Sequence, residues 1–249
     1  MRYIQFTKMQ GLGNDFLVVE GPTTFTPDEI SWLCDRRFGV GADGVLVVTR
    51  NDPVRMEYYN ADGSAAEMCG NGLRCVARYV YDRGWVLERN FAVQTPIGVR
   101  GARVLEEFIE VELGRVTVGE QLDIDGLVFH VADIGNPHAI TFVDDPATVD
   151  VDAIGRSLQS GFDSGVNVEF VTPGDTSITM RVWERGVGET LACGTGMAAA
   201  TAVTQSQSGH SGPMTVHVPG GQAIIDIRDG IAWIRGPADY SFRGSVGEQ

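Results

Sequence analysis

The chain carries a partial copy of itself, and that limits its fold more than any other feature. Residues 55–72, RMEYYNADGSAAEMCGNG, align without a gap on residues 179–196, TMRVWERGVGETLACGTG, at an offset of 193 − 69 = 124. Identity in this stretch is confined to Met56/Met180, Cys69/Cys193, Gly70/Gly194 and Gly72/Gly196. Other elements recur in the same order near the same offset. Gly13-Asn14-Asp15-Phe16 precedes the apolar run LVVE, and Gly135-Asn136-Pro137-His138 precedes AITFV. Thr26-Pro27-Asp28-Glu29 has Thr at the N-cap, Pro at N1 and Glu at N3, which predicts a helix running to Gly39. Its counterpart is expected from near Asp150 to near Gly161. Gly39-Val40-Gly41 then leads into VLVV, much as Ser164-Gly165-Val166-Asn167 leads into VEFV.

Each half therefore reads strand, helix, strand, strand, C-G-x-G, helix and a β-rich tail. The tails, FAVQTPIGVRGARV and MTVHVPGGQAIIDIRDGIAWIRG, alternate with period two between glycine turns, the pattern of antiparallel sheet. The expected architecture is α+β, with two pseudo-symmetric duplicated domains, 1–116 and 117–249, joined near Gly114 to Gly119.

The two cysteines of the repeat occupy matched positions. After Cys69, Leu73, Val76, Ala77 and Val80 share one helical face, and Gly84 suits the helix end. After Cys193 the chain reads GTGMAAATAVTQSQSG, alanine-rich and ending at Gly209. Each cysteine thus begins a helix, beside glycines that let backbone N–H groups approach a ligand closely. Unpaired amides and the helix dipole would draw a thiol pKa down from about 8.5 toward neutrality and would receive a carboxylate. Duplication offers two such ends, one for each side of a reacting carbon. Inversion at an amino-acid α-carbon asks for this: a base on one face, an acid on the other, and donors for the enolate-like charge between them. Cys34 and Cys75 lie inside helical patterns and read as core residues.

Composition narrows the alternatives. A net charge of −14, with 19 basic and 33 acidic residues and no basic cluster, argues against nucleic acid or an anionic membrane as partner. No run is apolar enough to span a bilayer, and MRYIQFTKMQ lacks the features of a signal peptide, so a cytoplasmic location is the default expectation. The four cysteines form no C-x-x-C pair and the four histidines no H-x-x-x-H, so no metal is expected. Lys8 is the only lysine, and it follows no phosphate loop, which argues against a pyridoxal Schiff base.

These motifs resemble diaminopimelate epimerase. The resemblance runs through GLGNDF, GVGADG, NADGSAAEMCGNGLR, GNPH, GVNVEF, WERGVGETLACGTG and the closing GPADYSF, nearly the whole chain. It implies two similar domains, each a β-sheet rolled around a central helix, with the active site in the cleft between them. It implies cofactor-independent interconversion of LL- and meso-2,6-diaminoheptanedioate, a small-molecule substrate, in lysine and peptidoglycan precursor synthesis. Cys69 and Cys193 would be the acid/base pair, and His138 and Glu184 would modulate their pKa values. Gly70, Asn71, Gly194 and Thr195 would supply donors to the reacting carboxylate. Asn14, Asn60, Asn136, Asn167, Glu184 and Arg185 would hold the rest of the substrate, and a homodimer is among the assemblies allowed. Arginine suits a distal carboxylate because its planar fork binds both oxygens. Some relatives carry glutamine where this chain has Gly44, so Gly44 is left out of the site. The chain is also somewhat short, with the missing length before GNPH.

Three other readings compete. A two-cysteine racemase of the same fold could act on proline, hydroxyproline or histidine. A thiol–disulfide oxidoreductase would normally use an adjacent C-x-x-C pair. A non-catalytic binding protein would need neither thiol.

Overall fold

A computed structural model describes residues 3–124, 126–162 and 165–247, and the chain divides into two compact units. The first comprises Met1–Val111 with Gly236–Gln249, and the second Glu112–Arg235.

In the first unit, β1 (Tyr3–Gly11) turns into the antiparallel β2 (Asn14–Glu20). Helix α1 (Pro27–Cys34) follows, then β3 (Gly44–Thr49) runs parallel to β2 with Phe16 opposite Gly44. β4 (Val54–Asn60) pairs antiparallel with β3, and β5 (Ala65–Ala66) with β4. Helix α2 (Gly70–Asp82) comes next, followed by the antiparallel run β6 (Asn90–Thr95), β7 (Gly98–Val104) and β8 (Ile109–Arg115). The strand β6 lies parallel to β4.

The runs LVV (17–19) and VLVV (45–48) are apolar at every position because β2 and β3 are covered on both faces there. Leu17, Val19, Val45 and Val47 form a core with Ile30 and Leu33 of α1. On the other face α2 packs against β1, β2, β3, β4 and β7, and it is buried from Gly70 through Ala77. The capping box of α1 forms as expected, with Thr26 Oγ1 accepting from the Glu29 amide and the Glu29 carboxylate accepting from the Thr26 amide. The helix ends at Cys34, short of the expected Gly39. Asp35 accepts from the amides of Arg37 and Phe38, both at 2.7 Å, and this local turn outcompetes further helix.

The second unit repeats the plan. After β9 (Thr117–Ile124) and the antiparallel β10 (Leu127–Asp133), β11 (Pro137–Phe142) leads to α3 (Val151–Leu158). β12 (Asn167–Pro173) runs parallel to β11 with His138 opposite Asn167. β13 (Ser177–Glu184) and β14 (Gly188–Thr190) follow antiparallel, then α4 (Gly194–Ser208) and the antiparallel β15 (Met214–Val218), β16 (Gly221–Arg228) and β17 (Ile231–Gly236). Asp150 caps α3, and a 3-10 turn carries it to Gly161. Phe129, Ala139, Val151, Leu158, Val168 and Phe170 build the core beneath α3, while α4 packs on β9, β10, β11, β12, β15 and β16. Helix α4 is buried from Gly196 to Thr204, as an alanine-rich core helix should be, and it stops at Gly209 in the left-handed region (φ 71°).

The last strand, β18 (Asp239–Gly247), pairs antiparallel with β1, from Tyr3 opposite Gly247 to Gln10 opposite Asp239. The units therefore differ from the expected halves 1–116 and 117–249. The first boundary falls inside β8, a few residues early. The C-terminal strand belongs to the first unit, because its hydrogen-bonding partner is the first strand.

Candidate active-site residues

In the first unit Cys69 is the N-cap of α2, with extended backbone (φ −137°, ψ 121°) and a half-buried side chain. Its thiol donates to Asn14 Oδ1 at 3.4 Å, and Asn71 Nδ2 reaches the same oxygen at 3.3 Å. Asn14 is held from behind, its amide donating to Asp43 Oδ2 at 2.7 Å. Asp43 is paired with Arg36, which also bridges to Asp15, and Lys8 completes the network on Asp15. Sequence reasoning had set Lys8 aside as a Schiff-base candidate; its place is this ion cluster beneath Asn14.

Arg74, fully buried in the first turns of α2, was not singled out from the sequence. It donates to Asn71 Oδ1 at 2.9 Å, to Pro237 O at 3.1 Å and to Gly70 O at 3.4 Å. Burial lowers its pKa, against the pull of the Cys75 and Cys69 thiols within electrostatic reach. A lone arginine in the run LRCVA was the available signal. Asn60 ends β4, where its side chain donates to Ser64 Oγ at 3.0 Å and its carbonyl closes the turn to Gly63. That is the turn role usual for asparagine near glycine. Cys34 and Cys75 are buried, and burial pushes their thiols up to about 11 and about 12, as inert core cysteines.

In the second unit Cys193 caps α4 in the matching conformation (φ −114°, ψ 115°). Its sulfur accepts from the Gly196 amide at 3.4 Å and lies 3.3 Å from Thr195 Oγ1. The expectation of a lowered thiol pKa is overturned here. Burial, and then the charges of Glu184 and Glu169, push Cys193 well above the ordinary thiol value, outweighing Thr195 and the Gly196 amide. These surroundings favour the protonated thiol at Cys193.

Glu184 ends β13, beside Cys193 and hydrogen-bonded to it. Burial raises its pKa, opposed by a short hydrogen bond donated by Thr190 Oγ1. His138 is fully buried, with Nδ1 2.7 Å from Glu169 Oε1 and Nε2 3.2 Å from Asn136 Oδ1. Asn136 in turn reaches Thr195 Oγ1 at 3.5 Å. Asn167 ties two segments together, its amide donating to Pro137 O and its oxygen accepting the Arg185 amide, each at 3.0 Å. His138, Asn136, Thr195, Cys193 and Glu184 are thus gathered at one end of α4, and Asn167 links the chain at Pro137 to Arg185. Glu169 was missed. Its signal was a single acid inside the otherwise apolar VEFV.

Among the described residues no cluster of three or more His, Cys, Asp or Glu is arranged to hold a metal ion, and no helix is long and apolar enough to cross a membrane.

Comparison with solved structures places the fold. The chain superposes on a phenazine biosynthesis protein of the PhzF family from Bacillus anthracis with a TM-score of 0.79 at 16% identity, covering 100% of both chains. A hydroxyproline epimerase from Agrobacterium vitis, with bound trans-4-hydroxy-L-proline, gives a TM-score of 0.74 at 16% identity, covering 98% of this chain and 92% of that one. The duplicated α+β fold is the fold of these proteins. Sequence comparison is closer. The chain is 38% identical to the diaminopimelate epimerase of Desulfitobacterium hafniense, over 97% of each chain. It is 36% identical to that of Methanothermobacter thermautotrophicus, over 97% of this chain and 98% of the other. The family profile described as diaminopimelate epimerase matches residues 6–119 and 130–239, both cysteine motifs included. The chain is an isomerase and belongs to the diaminopimelate epimerase family.

Proposed function

We propose that the protein interconverts LL- and meso-2,6-diaminoheptanedioate by two-base transfer of an α-proton, with Cys69 and Cys193 as base and acid. The observation that carries the reading is the pair of C-G-x-G cysteines capping the two buried central helices, in a chain of this family. The difficulty of the reaction is the weak acidity of the α-proton. Helix N-termini at Gly70-Asn71 and Gly194-Thr195 offer amide donors to the carboxylate where enolate-like charge develops, and one such donor is worth about 10²–10³-fold in rate.

The chemistry balances within the two thiols. A thiolate takes the α-proton while the other cysteine delivers its own proton to the opposite face, and the two exchange roles for the return reaction. The high pKa of Cys193 supports it as the resting acid. The buried guanidinium of Arg74 supports a thiolate at Cys69. Asn14, Asn136 and Arg185, with Asn60 and Asn167 supporting their loops, are assigned to the substrate's polar groups. The partner is a small amino acid with two polar ends, in lysine and peptidoglycan precursor synthesis, and the assigned location is the cytoplasm.

The test is a reaction started from pure LL isomer in deuterium oxide, without added cofactor. Early product should carry deuterium at the inverted carbon, while recovered substrate stays largely unlabelled. Product that keeps its original hydrogen would rule out the two-thiol route. Turnover of proline or hydroxyproline in place of diaminopimelate would move the substrate assignment to the rival racemases.

A further inference from the structure

The duplication supplies an internal comparison for the ground beneath each cysteine cap. Phe16 and His138 hold the same strand position, each opposite the first residue of the following parallel strand, Gly44 or Asn167. Two residues further along that strand stand Leu46 and Glu169. Phe16 and Leu46 in the first unit, and Glu169 in the second, lie against the third residue of the central helix. A Cβ built on Gly72 would meet Leu46 Cδ2 at 3.2 Å and Phe16 Cε1 at 3.6 Å, whereas one built on Gly196 would meet Glu169 Oε1 at 2.5 Å. One unit therefore underlies its cysteine cap with hydrocarbon, and the other fills the matching place with a histidine and a carboxyl group.

That substitution costs free energy unless it serves something, since apolar side chains of similar size already fill the same place in the first unit. His138 and Glu169 are both fully buried. Among the described residues Glu169 Oε2 is buried with no hydrogen-bond partner, so the group is not there to complete a hydrogen-bond network. Its one strong contact is the 2.7 Å approach of Oε1 to His138 Nδ1. A carboxylate oxygen accepts and does not donate, so the one proton shared across that contact is donated by His138 Nδ1 to Glu169 Oε1. The other ring nitrogen faces Asn136, which reaches Thr195, which touches Cys193.

We propose that Glu169 is a positioning residue for the reaction: it fixes the ring and the shared proton of His138, and through His138 and Asn136 it aligns Thr195 and the Cys193 thiol. The proposal rests on the two-cysteine reading above. Glu169 touches no reacting atom and works through its neighbours.

Three variants test this beside the wild-type enzyme: Glu169→Gln, the double change His138→Phe with Glu169→Leu, and Cys193→Ala. The double change copies Phe16 and Leu46, so it should fold with an unchanged or raised Tm while losing turnover by about 10²-fold or more. Glu169→Gln should lower kcat by about tenfold to a hundredfold with KM within about threefold, and the low-field Nδ1 proton resonance of His138 should shift or vanish. A folded double variant with near-wild-type turnover would overturn the proposal. So would a Glu169→Gln enzyme with unchanged kcat and an unchanged His138 resonance, and that measurement stands even where the double variant does not fold. Cys193→Ala separates the two levels. If it remains active, the two-cysteine reading falls; if it is inactive while Glu169→Gln is indistinguishable from wild type, only the role of Glu169 falls.

Discussion

Lys8, the sole lysine of the chain, places its Nζ 2.7 Å from the Asp15 carboxylate, with both side chains largely withdrawn from solvent. Arg36 grips the other side of Asp15 through two hydrogen bonds, at 2.7 and 3.0 Å. Burial alone would raise the Asp15 pKa, but the hydrogen bonds and charges of Arg36 and Lys8 outweigh it and hold the carboxyl far below the ordinary aspartate range. A carboxyl depressed in the folded state contributes stability above its unfolded pKa of about 3.9 and loses it as pH falls toward the folded value. The expected outcome is that Asp15→Asn is less stable than wild type at pH 7, with the gap in urea midpoint shrinking steadily below about pH 4. A gap independent of pH would show that the network does not stabilise through the charge of Asp15.

The four cysteines should separate by accessibility and role. Cys69 is half-buried while Cys34, Cys75 and Cys193 are buried. Brief treatment with iodoacetamide should label Cys69 first, as read by peptide mass mapping. Cys69→Ala and Cys193→Ala should abolish epimerisation in both directions, whereas Cys34→Ala and Cys75→Ala should retain turnover at some cost in Tm.

Matched glycines should respond unequally. Gly72→Ala brings a methyl to 3.2 Å from a leucine methyl, while Gly196→Ala drives one to 2.5 Å from Glu169 Oε1 and 3.3 Å from Cys193 Cβ. The second change should lower kcat far more than the first, with a stability loss of about 1–3 kcal/mol from overpacking. Steady-state kinetics and thermal melts on the two variants provide the comparison, and equal effects would contradict it.

Gly44 has no room for the glutamine that some relatives carry. A Cβ there would lie 2.5 Å from Tyr59 O and 2.6 Å from Tyr58 Cε2. Gly44→Gln should destabilise the protein by about 1–3 kcal/mol in urea titrations, unless β3 and β4 shift apart. An undisturbed midpoint would show that β3 and β4 part readily enough to admit the side chain.

Much of the architecture was legible because it is written twice. Cys69 and Cys193 were placed at helix starts by the repeat, and the capping residues Thr26 and Asp150 marked the outer helices. What escaped depended on contacts distant in sequence. The recruitment of the C-terminal strand to β1 leaves no local signature, because GPADYSF reads as a strand whichever partner it takes. Asp35 ended α1 through a side-chain turn that periodicity does not register. The thiol pKa of Cys193 was misjudged because its strongest influences, burial and two carboxyl groups, come from outside its own helix. Glu169 and Arg74 went unnoticed for a related reason. A single charged residue inside an apolar run is informative only when the face it occupies is known, and the faces of β12 and α2 are settled by packing on both sides.

The return of β18 to pair with β1 also governs the order in which the chain can be finished during synthesis. The second unit is continuous, Glu112–Arg235, and can close as soon as those residues have left the ribosome. The first unit is emitted earlier yet lacks β18 until the stretch Asp239–Gly247 has emerged as well. Until then the free side of β1 is an exposed strand edge, open to pairing with other nascent chains. The part of the protein made first is therefore the part completed last. Deletion of Asp239–Gly247 would injure the unit that carries Cys69, 239 − 69 = 170 residues back along the chain, and leave the one that carries Cys193 intact.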